Sequence, residues 1–305
     1  MFQLSLLERA RPLPRHVHLF PDETTASLIS RLEQANALEP GLLKRTLQKS
    51  ARPWVDTLSA WTEFDSGRFR LAMPQLSQHN VVTTCDPRLL GRPNQRITRL
   101  ACHLCAYERG AIERIEIYTT HDRVVCPQHG IWVGAGTQTP RNQMSVRTCP
   151  AITAATNHHR NLITRFGRGR VCTAFYNASY INWWWHATGH HFTEFTRLHK
   201  NLLATSEPDQ TENYATEAGA HYPAIVRFTT ILASPFWERI AHSTHPDKFL
   251  DRVTNEVTNR WLPRSGANPL RQWMAENRTP NFTDTDTISL AVDEHQNQSS
   301  VDLLD

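Results

Sequence analysis

The chain has 305 residues, 39% of them hydrophobic, and a formal net charge of +4 at pH 7. This length exceeds one typical domain and allows two or three. Because no apolar run reaches the roughly eighteen residues of a membrane span and Met1 to Leu7 does not resemble a signal peptide, we expect a cytoplasmic protein with reduced cysteines.

The first predicted elements are an extended arm and a helix. The arm covers residues 1–21 and is interrupted by prolines. For the helix that follows, Asp22 or Thr24 can serve as N-cap. The helix should end near Asn36, because Pro40 disfavours a helical conformation in the residue before it.

Two helical pairs are predicted within residues 22–80. A second short helix is predicted to have leucines on its inner face and basic side chains on its outer face. The same pattern of two short amphipathic helices repeats after Pro53, and the last helix should end before Pro74. We interpret this region as a helix-turn-helix-type helical domain, although any small helical bundle also has charged outer faces. The second helix of such a motif enters the major groove. The candidate nucleic-acid contacts are therefore Lys44, Arg45, Lys49, Arg68 and Arg70.

Residues 81–148 are predicted to form a polar connector and a zinc ribbon. A Cys-x-x-Cys turn is followed after twenty residues by Cys-x-x-His, with β-rich runs between and after the two turns. Structural Zn²⁺ takes four such ligands in a tetrahedron. Four protein ligands without a carboxylate leave no open position for a catalytic water, so one structural site is expected. Its ligands are Cys102, Cys105, Cys126 and His129.

Other interpretations of the cysteines were weighed against this site. The four residues could be ordinary reduced cysteines with a surface histidine, or the cysteines could form a disulfide. A second zinc site from Cys149, Cys172 and either His158 or His159 is conceivable. It lacks paired Cys-x-x-Cys turns, so isolated buried thiols are the expectation there.

Residues 149–280 are predicted to form a C-terminal helical domain. A helix opens at Cys149, and Phe175 to Phe195 is expected to be a packed aromatic element that contains three successive tryptophans, 183–185. His186 and His190 have the spacing of helical metal ligands, but the glutamate of a zincin motif is absent between them. No metal chemistry is expected there, and one tryptophan should be free for a partner.

The last part of the chain is predicted to contain a loop, further helices and a tail. Residues 205–220 are interpreted as a loop, with a helix from about Pro223 and another from Pro235. Further helical spacing runs from Phe249 to Trp261. Residues 281–305 are expected to be a disordered acidic tail.

The charges are unevenly distributed along the chain. Residues 86–170 hold thirteen arginines and five acidic residues, whereas residues 281–305 hold six acidic residues and no lysine or arginine. A basic middle predicts a polyanionic partner. A merely soluble face, or a GC-rich genome that favours arginine, is the alternative.

Six segments of the chain share a resemblance to one known family. In chain order they are Leu13-Pro14, Asp22 to Asn36, Cys102 to Cys105 with Glu108 to Gly110, Val125 to Gly130, Ile152 to Gly167 and Tyr222 to Trp237. These segments, in this order, resemble the TniQ family, the target-selecting subunits of transposons that include the TnsD proteins. The segment from Tyr222 to Trp237 resembles the C-terminal helix of longer actinobacterial members.

The resemblance implies a non-catalytic adaptor. Family members join a helix-turn-helix unit to zinc ribbons, bind target DNA or an RNA-guided effector, and recruit an AAA+ ATPase regulator that brings in the transposase. The C-terminal helices would serve the ATPase or a second copy of the chain. This chain departs from the family pattern in having one well-formed ribbon where some members have two.

The expected fold is therefore mainly α with a small β zinc ribbon, and the expected function is DNA-binding target selection. A transcription regulator with the same architecture is an alternative. A metal-dependent nuclease is a weaker one, since the acidic residues that would hold catalytic metal ions are scattered. No catalytic residue is expected.

Overall fold

The structure is a computed structural model that describes residues 11–73, 76, 97–111, 114–188, 193–205, 214–243, 246–258 and 268–276. These residues form two compact units, the first within 11–144 and the second from 145 onward. The described parts are mainly helical and contain one two-stranded sheet, as expected for the fold class. None of the described helices is long and apolar enough to cross a membrane.

The first unit consists of four N-terminal helices followed by a short sheet with one more helix. The helices are α1 (Thr25–Ala35), α2 (Leu42–Lys49), α3 (Trp54–Thr62), α4 (Ser66–Ala72) and α5 (His103–Glu108). The strands are β1 (Ile97–Leu100) and β2 (Glu116–Thr119), and a 3₁₀ turn covers Pro140–Asn142. The strands pair antiparallel, with Ile97 opposite Thr119.

The start of α2 is set by a side chain of α1. Thr24 caps α1, since its hydroxyl accepts a hydrogen bond from the Ser27 N–H at 3.1 Å. At the other end, the buried Glu33 carboxylate accepts from the N–H groups of Gly41 at 2.8 Å and Leu43 at 2.7 Å. These N–H groups lack helical partners, and the positive end of the helix dipole favours a carboxylate there. The predicted pair of helices is confirmed, with its turn held by Glu33.

The four N-terminal helices share one hydrophobic core, which includes Leu28, Leu43, Trp61 and Phe69. The predicted second pair is confirmed with shifted ends. Pro53 precedes α3 as its N-cap, and α3 ends at Thr62.

Two buried side chains anchor the described part of the N-terminal arm. Leu13 is buried in the helical core, and its N–H donates to the Trp61 carbonyl at 2.8 Å. Further along, Phe20 is buried against Ala106 and Ile115, residues that flank the short sheet. The arm therefore joins the helices to the sheet.

The arm then continues as an extra edge of the sheet. The Thr24 N–H donates to the Glu116 carbonyl at 2.8 Å, and the Tyr118 N–H donates to the Asp22 carbonyl at 2.7 Å. Glu23 forms a β-bridge with Ile117 between these two bonds. The residues that begin α1 are thus hydrogen-bonded to β2.

A buried ion pair lies at this junction. The Arg31 guanidinium donates to both oxygens of Glu23, at 3.0 and 2.8 Å, and also to the His18 carbonyl at 3.1 Å. The Ser27 hydroxyl donates to Glu23 at 2.8 Å and accepts from the Glu116 N–H at 3.0 Å. Burial raises the pKa of the Glu23 carboxyl, and Arg31 offsets only part of this effect. The main effect of the ion pair is therefore to hold the end of the arm in place against α1, and not to add net stability.

The segment from 97 to 144 differs from its sequence prediction in three ways. Strand β1 begins at Ile97, within the polar connector expected to run to Arg99, and the first Cys-x-x-Cys turn begins α5. The apolar runs at 124–125 and 131–133 form a single bridge, between Val125 and Trp132, instead of strands. Short runs of this kind are ambiguous because pairing partners decide their state.

The second unit is helical throughout its described parts. Its helices are α6 (Pro150–Phe166), α7 (Arg168–Ala187), α8 (Thr193–Leu203), α9 (Tyr214–Leu232), α10 (Pro235–Ala241), α11 (Asp247–Glu256) and α12 (Pro269–Glu276). The predictions of helices opening at Cys149 and at Pro235 are confirmed.

Helix α9 is the centre of the second unit, and the prediction for its start is wrong. The helix begins at Tyr214, so the predicted loop ends earlier and Pro223 lies inside the helix. Proline removes one backbone hydrogen bond from a helix interior. Here α6, α7, α8, α10 and α11 all contact α9, and burial on all sides outweighs the local preference.

The tryptophan run lies on α7, and none of its side chains is fully exposed. Trp185 is buried and stacks on Phe228, with ring centroids 5.5 Å apart. Trp183 and Trp184 are half-buried, and Trp183 packs on His221 at 4.5 Å. The packed aromatic element is confirmed, while a tryptophan free for a partner remains a prediction.

Several predictions lie outside the described residues. They concern the first ten residues of the arm, the connector before residue 97, the loop residues 206–213, His190, Trp261 and the tail over 281–305.

The role of the buried Glu23–Arg31 ion pair can be tested by removing one of its two charges. We expect Arg31→Met to lower the free energy of unfolding by about 3–5 kcal/mol, because it leaves Glu23 buried without its partner. Arg45→Met is the matched control: it breaks the exposed Arg45–Glu39 ion pair and should cost less than about 1 kcal/mol. Urea denaturation measures both. Equal losses for the two variants would show that the buried pair does not hold the junction.

Candidate metal centre

Four side chains converge in the first unit with the geometry of a tetrahedral metal site. The ligand atoms of Cys102, Cys105, Cys126 and His129, which we call the Cys3His cluster, all lie within 4.8 Å of one another. Cys105 Sγ lies 3.5 Å from Cys126 Sγ and 3.2 Å from His129 Nδ1. His129 Nδ1 lies 3.6 Å from Cys102 Sγ and 3.7 Å from Cys126 Sγ.

These four separations, 3.2–3.7 Å, are close to the edges of a coordination tetrahedron. Metal bonds of about 2.3 Å to sulfur and 2.1 Å to nitrogen correspond to edges of roughly 3.6–3.8 Å. The four residues predicted from the sequence therefore lie close enough to bind a metal ion. Cys102 and Cys126 are buried and Cys105 is half-buried, so the site is largely shielded from water.

Two tight turns present the ligands. Cys102 is the N-cap of α5, and one helical turn brings Cys105 back beside it. In the second turn the Gly130 N–H donates to the Cys126 carbonyl at 2.8 Å, and Gly130 has φ 62°, a left-handed conformation that glycine adopts without strain. This turn points His129 back toward the sulfur atoms.

A carboxylate orients the histidine. Glu108, at the end of α5, lies with Oε1 3.0 Å from His129 Nε2, and Gln128 donates to its other oxygen at 2.9 Å. This contact places the ring proton on Nε2 and leaves the Nδ1 lone pair for a metal. Carboxylate partners of this kind fix ring orientation and strengthen the ligand. Glu108 lies three residues after Cys105 on one helix, a spacing that could have indicated its role.

Gln143 braces the first turn from forty residues further along the chain. Its side-chain oxygen, Oε1, accepts a hydrogen bond from the backbone N–H of His103 at 2.9 Å. Its side-chain nitrogen, Nε2, donates to the backbone carbonyl of Ala101 at 2.8 Å. Gln143 is buried, so these bonds replace water. Nothing in the local sequence around Gln143 signals this contact.

Protons compete with a metal ion for the ligand atoms of the cluster. Burial, together with the neighbouring thiols, raises the pKa of Cys105 to about 12, and burial also raises the pKa of Cys102. Burial opposes ionisation of Cys126 as well, but hydrogen bonds from the His129 backbone and from Cys105 outweigh it and lower its pKa. The hydrogen bond to Glu108 raises the pKa of His129. A metal must displace these protons, so acid weakens its binding.

The described residues contain no second cluster of this kind. Cys149 and Cys172 are both buried in the second unit, and neither joins His158 or His159 in a group that could hold an ion. His159 instead bonds Tyr222, with Nδ1 2.9 Å from the hydroxyl oxygen, and His158 lies 2.9 Å from the Thr230 hydroxyl.

The five basic candidates for nucleic-acid contact are all exposed, on two helices of the first unit. Lys44, Arg45 and Lys49 lie on the outer face of α2. Arg68 and Arg70 lie on α4, where Arg68 covers the Phe64 ring at 5.1 Å. Residues two apart on a helix do not share a face, so α4 presents its two arginines in different directions.

No family model, curated protein or solved structure matches the chain significantly.

The ligand set can be tested against the other cysteine pair. Cys102→Ala with Cys126→Ala should abolish bound metal, because each turn loses a ligand, and should unfold the segment around the cluster. Cys149→Ala with Cys172→Ala removes two buried thiols as well and should keep the metal. Elemental analysis of the purified variants measures both. Stoichiometric metal bound to the Cys102→Ala, Cys126→Ala variant would contradict the ligand assignment.

The role of Glu108 has its own test. Glu108→Gln keeps the shape but weakens the acceptor at His129, so metal affinity should fall about 10- to 100-fold. Glu116→Gln, which removes a half-buried carboxylate paired with Arg114, is the control and should leave affinity unchanged. Competition with a chromophoric chelator gives both affinities, and equal values would show that Glu108 does not act on the metal.

Proposed function

We propose that the Cys3His cluster holds one structural Zn²⁺ ion and that the segment around it is a zinc ribbon. Three thiolates and an imidazole in a tetrahedron form a donor set typical of structural zinc. Four protein ligands fill the coordination sphere, so the metal would supply folding energy and not a reactive water. The nearby carboxylate, Glu108, contacts His129 and serves as its outer partner.

We infer that α1 and α2 form a helix-turn-helix, with α2 as the recognition helix. The support is the turn held by Glu33 and the division of α2 into two faces. Leu43 and Leu47 are fully buried, while Lys44, Arg45 and Lys49 are exposed. Such a helix can enter the major groove with its charged side chains toward phosphates and base edges.

The protein is then a non-catalytic DNA-binding adaptor that selects a target site for transposition. It recruits an AAA+ ATPase regulator and, through it, the transposase, and it recognises either DNA directly or an RNA-guided complex. The order of the sequence motifs, which resembles the TniQ family, is the support for this role. The exposed surfaces of the second unit are the candidates for the ATPase contact.

One observation carries the proposal: the basic helix pair and the metal site belong to a single compact unit. The arm packs against both, and the residues that open α1 are hydrogen-bonded to β2. A unit of this kind can present the helix and the metal-bound turns to one ligand as a fixed surface. A freely jointed pair would pay the cost of ordering on binding.

The DNA face is tested by removing two charges from α2. Lys44→Ala with Arg45→Ala should weaken binding to a labelled DNA duplex and lower the salt slope of log K by about 1–2, since each lost phosphate contact releases fewer counterions. Arg239→Ala with Lys248→Ala removes the same charge from exposed positions of the second unit and should leave binding unchanged. Titrations at two salt concentrations measure the slopes.

Either of two results would contradict this assignment. If the Lys44/Arg45 variant binds duplex DNA as tightly as the control variant, α2 is not the DNA-binding helix. A zinc-loaded wild-type protein that binds no duplex would overturn the DNA-binding role, and a pulldown with the ATPase and an RNA-guided complex would then be the next experiment.

A further inference from the structure

Residues 123–193 contain no aspartate or glutamate, although they include seven arginines. Charged surfaces of soluble domains normally mix both signs. This stretch includes all of α6 and α7 in the second unit. A surface that excludes acidic residues over such a length is suited to a polyanion.

The outer face of α6 concentrates this property. Its exposed polar side chains recur at positions i, i+3, i+4, i+7 and i+8, which lie on one side of a helix. We call this set the α6 face, and it consists of Asn157, Arg160, Asn161, Thr164 and Arg165. The opposite side of the helix is buried, through Ile152, Ala155, Thr156, His159 and Leu162.

The arginines of the α6 face are available for a ligand. Within the described residues, neither Arg160 nor Arg165 has a carboxylate within ion-pair distance, and Arg165 covers the neighbouring Phe166 ring at 4.9 Å. By contrast, Arg170 at the start of α7 is paired with Glu238 and donates to the Ala233 carbonyl. The Glu238 carboxylate is therefore already paired with a different arginine.

The composition of the α6 face favours a nucleic acid over a protein. Protein interfaces depend on buried apolar or aromatic anchors, and no large hydrophobic side chain of α6 is exposed. Arginine, asparagine and threonine are instead the side chains that contact phosphates and base edges. The helix has 17 residues and is about 25 Å long, and a major groove admits a helix of this kind.

We propose that the α6 face is a second duplex-DNA contact surface, located in the second unit and independent of the metal site. This inference rests on the proposed DNA-binding function and extends it, because α6 belongs to a unit that contains no ligand of the Cys3His cluster. Arg160 and Arg165 supply affinity through phosphates, and Asn157 and Asn161 lie between them on the same face.

The experiment is a titration of labelled random-sequence duplex with the zinc-loaded full-length protein at two salt concentrations. Arg160→Ala with Arg165→Ala should weaken binding on the order of tenfold and reduce the salt slope by about 1–2. Arg160→Lys with Arg165→Lys keeps the charges and should bind within a few-fold of wild type. Arg239→Ala with Lys248→Ala is again the charge-matched control and should match wild type.

The outcomes separate this inference from the proposed function. If the Lys44/Arg45 variant loses binding while the Arg160/Arg165 variant matches the control, the proposal for the α6 face is wrong and the DNA-binding function is retained. If the wild-type protein binds no duplex, both the α6 proposal and the DNA-binding function are wrong. Unchanged duplex binding combined with loss of polyglutamate binding by the Arg160/Arg165 variant would overturn the inference in favour of an acidic protein partner. Far-UV circular dichroism and metal content verify that each variant is folded.

Discussion

The hydrogen bonds between Asp22–Thr24 and β2, with the buried Glu23–Arg31 pair beside them, are the contact on which the first unit depends. The same few residues end the arm, cap α1 and extend the sheet. Any separation of α1 from the end of the arm, whose residues are hydrogen-bonded to β2, would therefore strand a buried carboxylate and a buried guanidinium. Such a pair adds little net stability, because desolvation cancels most of its attraction, but it penalises every alternative arrangement. This penalty holds the four N-terminal helices and the Cys3His cluster together in one compact unit.

The Cys3His cluster adds a second constraint to the same unit. Two turns separated by twenty residues lie beside a sheet of only two strands, and Gln143 braces the first of them. So small a sheet buries little apolar surface, and a metal ion would supply the missing folding energy. Apart from a metal, the contacts of Glu108 with Gln128 and His129 link the two turns. The His129–Glu108 contact orders one ligand in advance and reduces what the metal must organise.

The two units differ in how they are stabilised and in the surfaces that they present. The first contains a buried ion pair and the Cys3His cluster, and it exposes a short basic helix, α2. The second is built around α9, whose buried polar side chains are paired locally, as in the contact between Asn182 and His221 at 2.9 Å. It exposes the longer α6 face, which is free of acidic residues. If both proposals hold, target binding uses one surface that requires the metal and one that does not.

The sequence by itself determined the properties that depend on local spacing. The two cysteine-containing turns predicted the metal ligands, and apolar periodicity located α1, α2 and α6, because ligand spacing and helical period are encoded over a few residues. Tertiary contacts decided the rest. β1 formed because β2 and the arm offered partners, α9 passed through Pro223 because five helices surround it, and Gln143 reached a turn forty residues away. Such contacts join residues that are distant in the chain, and their strength comes from burial, which no local pattern records.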